Sequence, residues 1–194
     1  NMIERGDYQG AIGMLDKSVK YDADYASSYK IRSRAYDRLG ETDKAIDDAI
    51  TWYEKDSDAF GTALVKVMMK HRSYAIAKAK AQMRTSDNKS QWRVLMLAVY
   101  EQAGEYENAL SEYDALENDY GKDEFIYYHR ADCYSELGLT EKDLKEIEAA
   151  IAMDDDYYNS CRKGQILRTA GRFPEAIKAF DRAIEIDPTD AFAY

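Results

Sequence analysis

The most constraining feature of the sequence is a pattern of small, apolar and turn-forming residues that recurs about every 34 residues. Its most complete copy spans residues 157–190 and contains, in this order, Gly164, Gly171, Ala176, Phe180, Ala183 and Pro188. Gly6 and Gly40 are 34 residues apart, and so are Gly104 and Gly138. A recurrence of this length is typical of chains in which each repeat is one supersecondary unit.

Each copy of the pattern predicts two helices joined by a tight turn. Gly171 can adopt the positive φ that ends a helix, and Pro174 falls in the first turn of the next helix, where its missing N–H costs nothing. Apolar residues at spacings of three and four then form one stripe on that helix. Gly164 has no side chain and is expected to let the two helices approach closely. Because two helices cannot bury both of their apolar faces against each other, such repeats stack.

The register of the pattern divides the chain into repeats and predicts eleven helices. Turns are expected near Gly6, Gly40, Arg72, Gly104, Gly138 and Gly171. We expect a single solenoid over 1–194, with a half repeat at 1–25, full repeats at 26–57, 90–123, 124–156 and 157–190, an irregular repeat at 58–89, and the start of a further repeat at 191–194. The irregular repeat is interpreted either as a decayed repeat that changes local curvature or as a hinge or specialised ligand position. The incomplete repeats at both ends suggest a fragment of a longer array.

The spacing of Gly164, Ala176, Phe180 and Pro188 resembles the tetratricopeptide repeat, a helix–turn–helix unit. One departure is Ser160, which stands where the family has a tryptophan. The resemblance implies an all-α fold, a right-handed α-solenoid of stacked antiparallel helix pairs, whose first helices line a concave groove. It further implies a protein–protein interaction scaffold that binds a peptide or partner protein in this groove. The alternative is a non-catalytic regulatory or substrate-recruiting segment of a larger enzyme.

The first helices of the repeats supply the candidate residues of the partner-binding groove. Lys30, Arg34 and Arg38 lie four residues apart and form a basic stripe, which is equally consistent with a solvated charged face. Mixed aromatic, polar and charged positions follow in the later first helices: Gln91, Val94, Phe125, Tyr128, Asp132, Tyr158, Gln165 and Arg168. This groove is suited to a peptide with acidic and apolar side chains. In chaperone-binding members of the family, lysines and asparagines clamp a terminal carboxylate, but Arg34 stands where an asparagine is expected, which disfavours such a clamp.

The composition and the missing motifs argue against other functions. A formal charge of −10 disfavours nucleic acid and anionic membranes as partners. His71 and His129 are isolated, and no phosphate loop, nucleophile elbow or zinc motif occurs, so we predict no enzyme, no catalytic or metal-binding residue and no cofactor. Cys133 and Cys161 are predicted to be buried thiols, which suits a cytoplasmic protein. Apolar stripes left uncovered at both ends predict weak self-association.

Overall fold

The regular structure of the chain is helical throughout the described residues. The computed structural model describes residues 2–189, and no β-strand occurs within that range. It contains eleven α-helices: α1 (Tyr8–Tyr21), α2 (Ala26–Arg38), α3 (Thr42–Lys55), α4 (Thr62–Met68), α5 (Arg72–Thr85), α6 (Lys89–Gln102), α7 (Tyr106–Tyr120), α8 (Glu124–Glu136), α9 (Thr140–Met153), α10 (Tyr157–Thr169) and α11 (Phe173–Ile186). The all-α prediction is confirmed. The predicted start of a further repeat at 191–194 lies outside the described residues.

The chain divides into two compact halves, an N-terminal half of residues 1–103 and a C-terminal half of residues 104–194. Within the N-terminal half, α2 packs against α1 and α3, α3 also contacts α4 and α5, and α5 contacts α6. Within the C-terminal half, α8 packs against α7 and α9, and α10 packs against α9 and α11. Helices therefore contact their neighbours in chain order, which is the packing of an α-solenoid.

Glycines end helices at the positions that the recurrence predicts. Gly40, Gly138 and Gly171 have φ values of 77°, 70° and 74°. At Gly40, the backbone N–H donates to the Asp37 carbonyl at 3.1 Å, so the turn satisfies a carbonyl left free at the end of α2. Helix α3 begins almost at once: Glu41 is its N-terminal cap and Thr42 its first helical residue.

Small residues at recurring positions allow the helices to pack closely. Ala45, Ala109 and Ala176 occupy the same position in three repeats and are 0%, 0% and 3% exposed. A Cβ atom added to Gly164 would lie 2.6 Å from Cε1 of Phe180, which is closer than two carbon atoms can approach. The predicted role of Gly164 in the approach of α10 and α11 is thus confirmed. Likewise, both cysteines are buried, as predicted.

The irregular repeat contains a short first helix. The spacing of small residues suggests a helix from Ala59, but α4 begins only at Thr62 and has seven residues. Gly61 is fully extended and Phe60 has a ψ of 131°, so the helix cannot start earlier. A 3₁₀ turn at Met69–His71 then takes the place of the glycine turn and leads directly into α5.

Candidate functional site

Helices α2, α3 and α4 of the N-terminal half enclose a cleft of about 410 Å³, here called the basic cleft. Its lining residues are Lys30, Ser33, Arg34, Asp37, Arg38, Ala49, Trp52, Ala63, Leu64, Lys66, Val67 and Lys70. The cleft contains all three residues of the predicted basic stripe. It adds two cations, Lys66 and Lys70, that the sequence analysis did not identify. One face of α2, the short α4 and the turn that follows it thus supply five cations to one cleft.

The charges of the basic cleft are largely uncompensated. Among residues 2–189, Asp37 is the only acidic residue that lines the cleft, and its carboxylate forms an ion pair with Lys70. The Lys30 ammonium lies 4.8 Å from the centroid of a Trp52 ring, within the range of a cation–π interaction. Arg34, Arg38 and Lys66 have no ion-pair partner within residues 2–189. Cations gathered in a cleft without counter-charges produce a local positive potential that attracts anions.

Apolar groups form the buried part of the same cleft. Ala49 and Leu64 are each 1% exposed, whereas Arg34, Arg38 and Lys66 are exposed. Trp52 is partly buried and contributes its ring to the lining. A ligand in this cleft would therefore meet apolar surface below and cationic groups at the edge.

Gln91 and Val94, the other predicted residues of the N-terminal half, do not line the basic cleft. The Gln91 side chain donates to the Tyr53 carbonyl at 2.9 Å, and the Tyr53 hydroxyl donates back to the Gln91 carbonyl at 3.0 Å. Burial raises the pKa of Tyr53 to about 12, so its hydroxyl remains a donor at neutral pH. This reciprocal pair ties α3 to α6, and Gln91 is a structural residue in this conformation.

An aromatic cluster lies on α8 in the C-terminal half. The rings of Phe125 and His129 have centroids 4.2 Å apart, and Tyr128 contacts the same histidine at 5.7 Å. Phe125 is 52% exposed and Tyr128 is partly buried against the core. Tyr158, on α10, is 71% exposed and contacts Tyr157 edge to face. Phe125, Tyr128 and Tyr158 were predicted from the sequence, whereas His129, which contacts the first two, was not.

A polar cavity of about 250 Å³ in the C-terminal half contains two of the remaining predicted residues. Its lining residues come from α8, α9 and α10 and the turn between the first two: Ser135, Gly138, Thr140, Asp143, Arg162, Gln165, Ile166, Arg168 and Thr169. The predicted residues Gln165 and Arg168 are among them. Asp132, also predicted, accepts a hydrogen bond from Arg162 Nη2 at 2.7 Å.

Asp143 is the buried polar residue of this cavity. It occupies the position that alanine holds in three other repeats and is only 2% exposed. Its Oδ1 atom accepts no hydrogen bond within the described residues. Burial raises the pKa of the Asp143 carboxyl, although the charge of Arg162 and a hydrogen bond from Ser135 oppose the shift.

Two arginines that were not predicted from the sequence, the partly buried Arg32 and the buried Arg130, connect neighbouring helices. Arg32 donates to Asp16 at 2.8 Å and to Asp48 at 2.7 Å. Arg130 makes the equivalent contacts in the C-terminal half, to Asp114 at 2.9 Å and to Glu146 at 2.7 Å. Each arginine is 16 residues from both of these acids, and this symmetric spacing is the signal that could have identified them.

The acidic run at 154–156 has structural partners. Asp156 caps α10 by accepting from the Asn159 N–H at 2.7 Å, and Asp155 accepts from Arg182 at 2.7 Å. In the described part of the chain, no group of three or more potential ligands is arranged to hold a metal ion. None of the helices described is long and apolar enough to cross a membrane.

Comparison with known proteins agrees with this fold. Two models of the tetratricopeptide repeat match residues 3–60 and 160–190. The Hsp70-Hsp90 organizing protein of Triticum aestivum is 21% identical over 196 residues, which cover 97% of this chain and 34% of that protein. The crystal structure of the C-terminal part of a TPR repeat-containing protein from Cytophaga hutchinsonii has a TM-score of 0.57 at 16% identity and covers 95% of this chain and 76% of the other. That of YrrB, described as a TPR protein with an unusual peptide-binding site, has a TM-score of 0.55 at 16% identity and covers 92% and 95%.

Stacked helix pairs, glycine turns at a fixed interval and a cleft between helices define a helical-repeat protein of the solenoid class. Residues 3–60 and 160–190 match the tetratricopeptide repeat, and the described chain has the fold of proteins built from such repeats. It spans about a third of the length of the curated organizing proteins that it matches.

Proposed function

We propose that the chain is a non-catalytic protein-interaction module whose basic cleft binds an acidic segment of a partner protein. The observation that carries the proposal is the gathering of five cations around one acid in a chain of net charge −10. Three of these cations have no ion-pair partner in the part of the chain that the structure describes. An acidic peptide supplies the missing counter-charges.

Electrostatic and apolar contacts would make different contributions to the recognition of a partner. The positive potential steers an acidic segment toward the cleft and discriminates against basic ones. Exposed ion pairs each contribute only ~0.2–1 kcal/mol, so most of the affinity has to come from apolar contact with Trp52 and its buried neighbours. The preferred ligand therefore carries an apolar side chain flanked by aspartate or glutamate.

Similar proteins support a protein or peptide as the ligand. The wheat relative is named as an organizer of Hsp70 and Hsp90, and YrrB is described as having a peptide-binding site. The presence of Arg34, where a carboxylate clamp has an asparagine, favours an internal acidic segment over a chain terminus. In the C-terminal half, we extend the proposal to Phe125, Tyr128 and Tyr158, whose rings would bind apolar side chains of a partner.

Trp52 provides a direct test of the proposal, because it lines the cleft while the second tryptophan, Trp92, is 1% exposed. Peptides with a central leucine flanked by glutamates should change the Trp52 fluorescence saturably, and their affinity should fall as salt rises. Arg34→Glu and Lys66→Glu each replace attraction by repulsion. We expect each to weaken binding by about 1–2 kcal/mol, or roughly 5–30-fold.

Arg84→Glu is the matched control, since Arg84 is an exposed cation of the same half that lies outside the cleft. If it weakens binding as much as Arg34→Glu, the effect is one of net charge and the cleft is not the site. Trp52→Ala should weaken binding with little change in its salt dependence. A peptide in which glutamine replaces each glutamate should bind the native chain as weakly as the original peptide binds the Arg34→Glu variant.

A further inference from the structure

Position 143 carries an acidic residue, whereas the equivalent position in other repeats carries alanine. Ala45, Ala109 and Ala176 occupy this position in other repeats and pack there as buried methyl groups. Asp143 puts a carboxyl group into the same buried place, and its Oδ1 atom has no hydrogen-bond partner among residues 2–189. A buried acceptor without a donor destabilises the fold. Alanine would avoid this cost, so the carboxyl group is expected to have a use that packing does not supply.

The groups around Asp143 are donors that lack acceptors. Arg162, which lines the same cavity, uses Nη2 to bind Asp132, but its buried Nε atom donates to no atom of the described chain. Arg168 and Gln165 lie in the same lining. Although Ser135 donates a hydrogen bond to the Asp143 carboxyl group, the Oδ1 atom of Asp143 and the Nε atom of Arg162 both remain without a partner among the described residues.

The charges of the cavity exclude simple ions as its preferred ligands. A cation would be attracted by Asp143 but repelled by Arg162 and Arg168, and an anion would meet the reverse arrangement. A neutral group that both donates and accepts has no such conflict. The volume, about 250 Å³, lies below the range of roughly 300–1,000 Å³ that is usual for sites of whole drug-sized ligands. It suits a single side chain or a very small molecule.

We infer that the polar cavity binds a carboxamide group, with its NH₂ donating to Asp143 Oδ1 and its carbonyl oxygen accepting from Arg162 or Arg168. The source is an asparagine or glutamine side chain of a partner or a small free amide, since both present the same atoms. All residues of the cavity lie in the C-terminal half. The inference therefore does not rest on the function proposed for the basic cleft, and either can fail alone.

The test uses nuclear magnetic resonance of the ¹⁵N-labelled chain with two amide probes. The peptide Ala-Ala-Gln-Ala-Ala and free propionamide represent the two sources, and Ala-Ala-Glu-Ala-Ala and propionate are the matched acids. We expect saturable shifts of the Thr140 and Thr169 amide signals with at least one amide probe, at concentrations at least tenfold lower than the matched acid requires. A response to the glutamine peptide alone assigns the site to a partner side chain, and a response to propionamide alone assigns it to a small amide.

Asp143→Ala separates recognition from folding, because it introduces the residue that three equivalent positions already carry. The variant should keep the dispersed spectrum of the folded chain and lose at least tenfold in affinity for the amide probe. Arg34→Glu, in the other half, should leave the titration unchanged. Equal binding of amide and acid, an unaltered response of Asp143→Ala, or no response to either amide would each overturn the inference.

Discussion

At position 164, the absence of a side chain decides how closely two helices approach. The ring of Phe180 on α11 occupies the space where a Cβ atom of residue 164 would lie, with three ring carbons within 2.7 Å of it. Phe180 in turn packs against two clusters of buried residues, one with Leu167 and Ala176 and the other with Cys161 and Ala183. Its ring therefore cannot move without disturbing them. The glycine therefore costs helix propensity but makes room for an aromatic contact.

Gly164→Ala should destabilise the chain, although alanine favours a helix more than glycine does. The gain in helix propensity is about 0.5–1 kcal/mol, whereas overpacking of this kind costs about 1–3 kcal/mol. We expect a net loss of about 1 kcal/mol in the free energy of unfolding, measured by urea denaturation. Gly13→Ala is the matched control, because its added Cβ meets no atom within 4 Å, and it should stabilise by about 0.5–1 kcal/mol. Stabilisation by both substitutions would contradict the packing role of Gly164.

The buried carboxyl of Asp143 should make stability depend on pH. Its pKa in the folded chain is raised above the ordinary value of 3.8, chiefly by burial, while Arg162 on α10 and Ser135 on α8 act against this and Asp132 acts with it. Because this pKa is raised, the stability that the protonated Asp143 carboxyl contributes is fully present below about pH 3.8. It is lost as the pH rises through the pKa that Asp143 has in the folded chain. Asp143→Asn removes this loss. The variant should therefore be more stable relative to the native chain at pH 7 than at pH 3.

Urea denaturation at several pH values measures this difference directly. Below about pH 3.8, the difference in the free energy of unfolding between Asp143→Asn and the native chain should be constant. Above that pH, the difference should change in favour of the variant. Asp87→Asn, in the exposed loop between α5 and α6, controls for the loss of one carboxylate. A difference that shifts against Asp143→Asn with rising pH would show that the carboxylate is stabilised in the fold.

Between helices, the partly buried Arg32 and the buried Arg130 connect successive elements. Arg32 on α2 joins α1 to α3 through Asp16 and Asp48, and Arg130 on α8 joins α7 to α9 in the same way. A planar guanidinium can serve two carboxylates at once, which a lysine ammonium does with less geometric control. Spacing of 16 residues on either side places each acid one helix away. The same device thus appears in both halves of the chain.

Regular repeats were predictable from the sequence, and the reason lies in their local signals. Gly40, Gly138 and Gly171 need a positive φ that few other residues adopt, so each marks a turn without reference to the rest of the fold. The role of Gly164 was predictable because small residues recur at its repeat position, as at Ser33 and Ala131. Such features belong to single positions, and a pattern along the chain reveals them.

Features that depend on two helices meeting could not be predicted in the same way. Lys66 and Lys70 lie on α4 and the following turn, in the repeat where the register is lost, so nothing in the sequence placed them beside Arg34. The departure at Asp143 was visible in the register. Its lack of a hydrogen-bond partner was not, because that depends on which atoms of α8 and α10 surround it.

Over the whole molecule, acidic residues dominate and the cations are unevenly placed. The chain has 37 acidic and 27 basic residues, yet the lining of the basic cleft has five cations and one acid. Many acids elsewhere form ion pairs, such as those of Arg172 with Glu175 and of Arg182 with Asp155. The positive potential of the cleft is therefore local, and it falls off within about 10 Å at moderate salt.

The apolar face of α11 should lead to weak self-association. Phe173 and Ile177 lie one turn apart and are 61% and 60% exposed, and Phe180 and Ile184 continue the same face half-buried. Burying the exposed part of both side chains would contribute roughly 2–4 kcal/mol, which approaches the roughly 4 kcal/mol that a dissociation constant of 1 mM represents. Sedimentation velocity should then show a coefficient that rises with concentration in the upper micromolar range. Ile177→Lys should abolish that rise, whereas Tyr120→Lys, at a residue that is equally exposed at the end of α7, should not. A coefficient that stays constant at all concentrations, or one that rises equally in both variants, would show that this face does not associate.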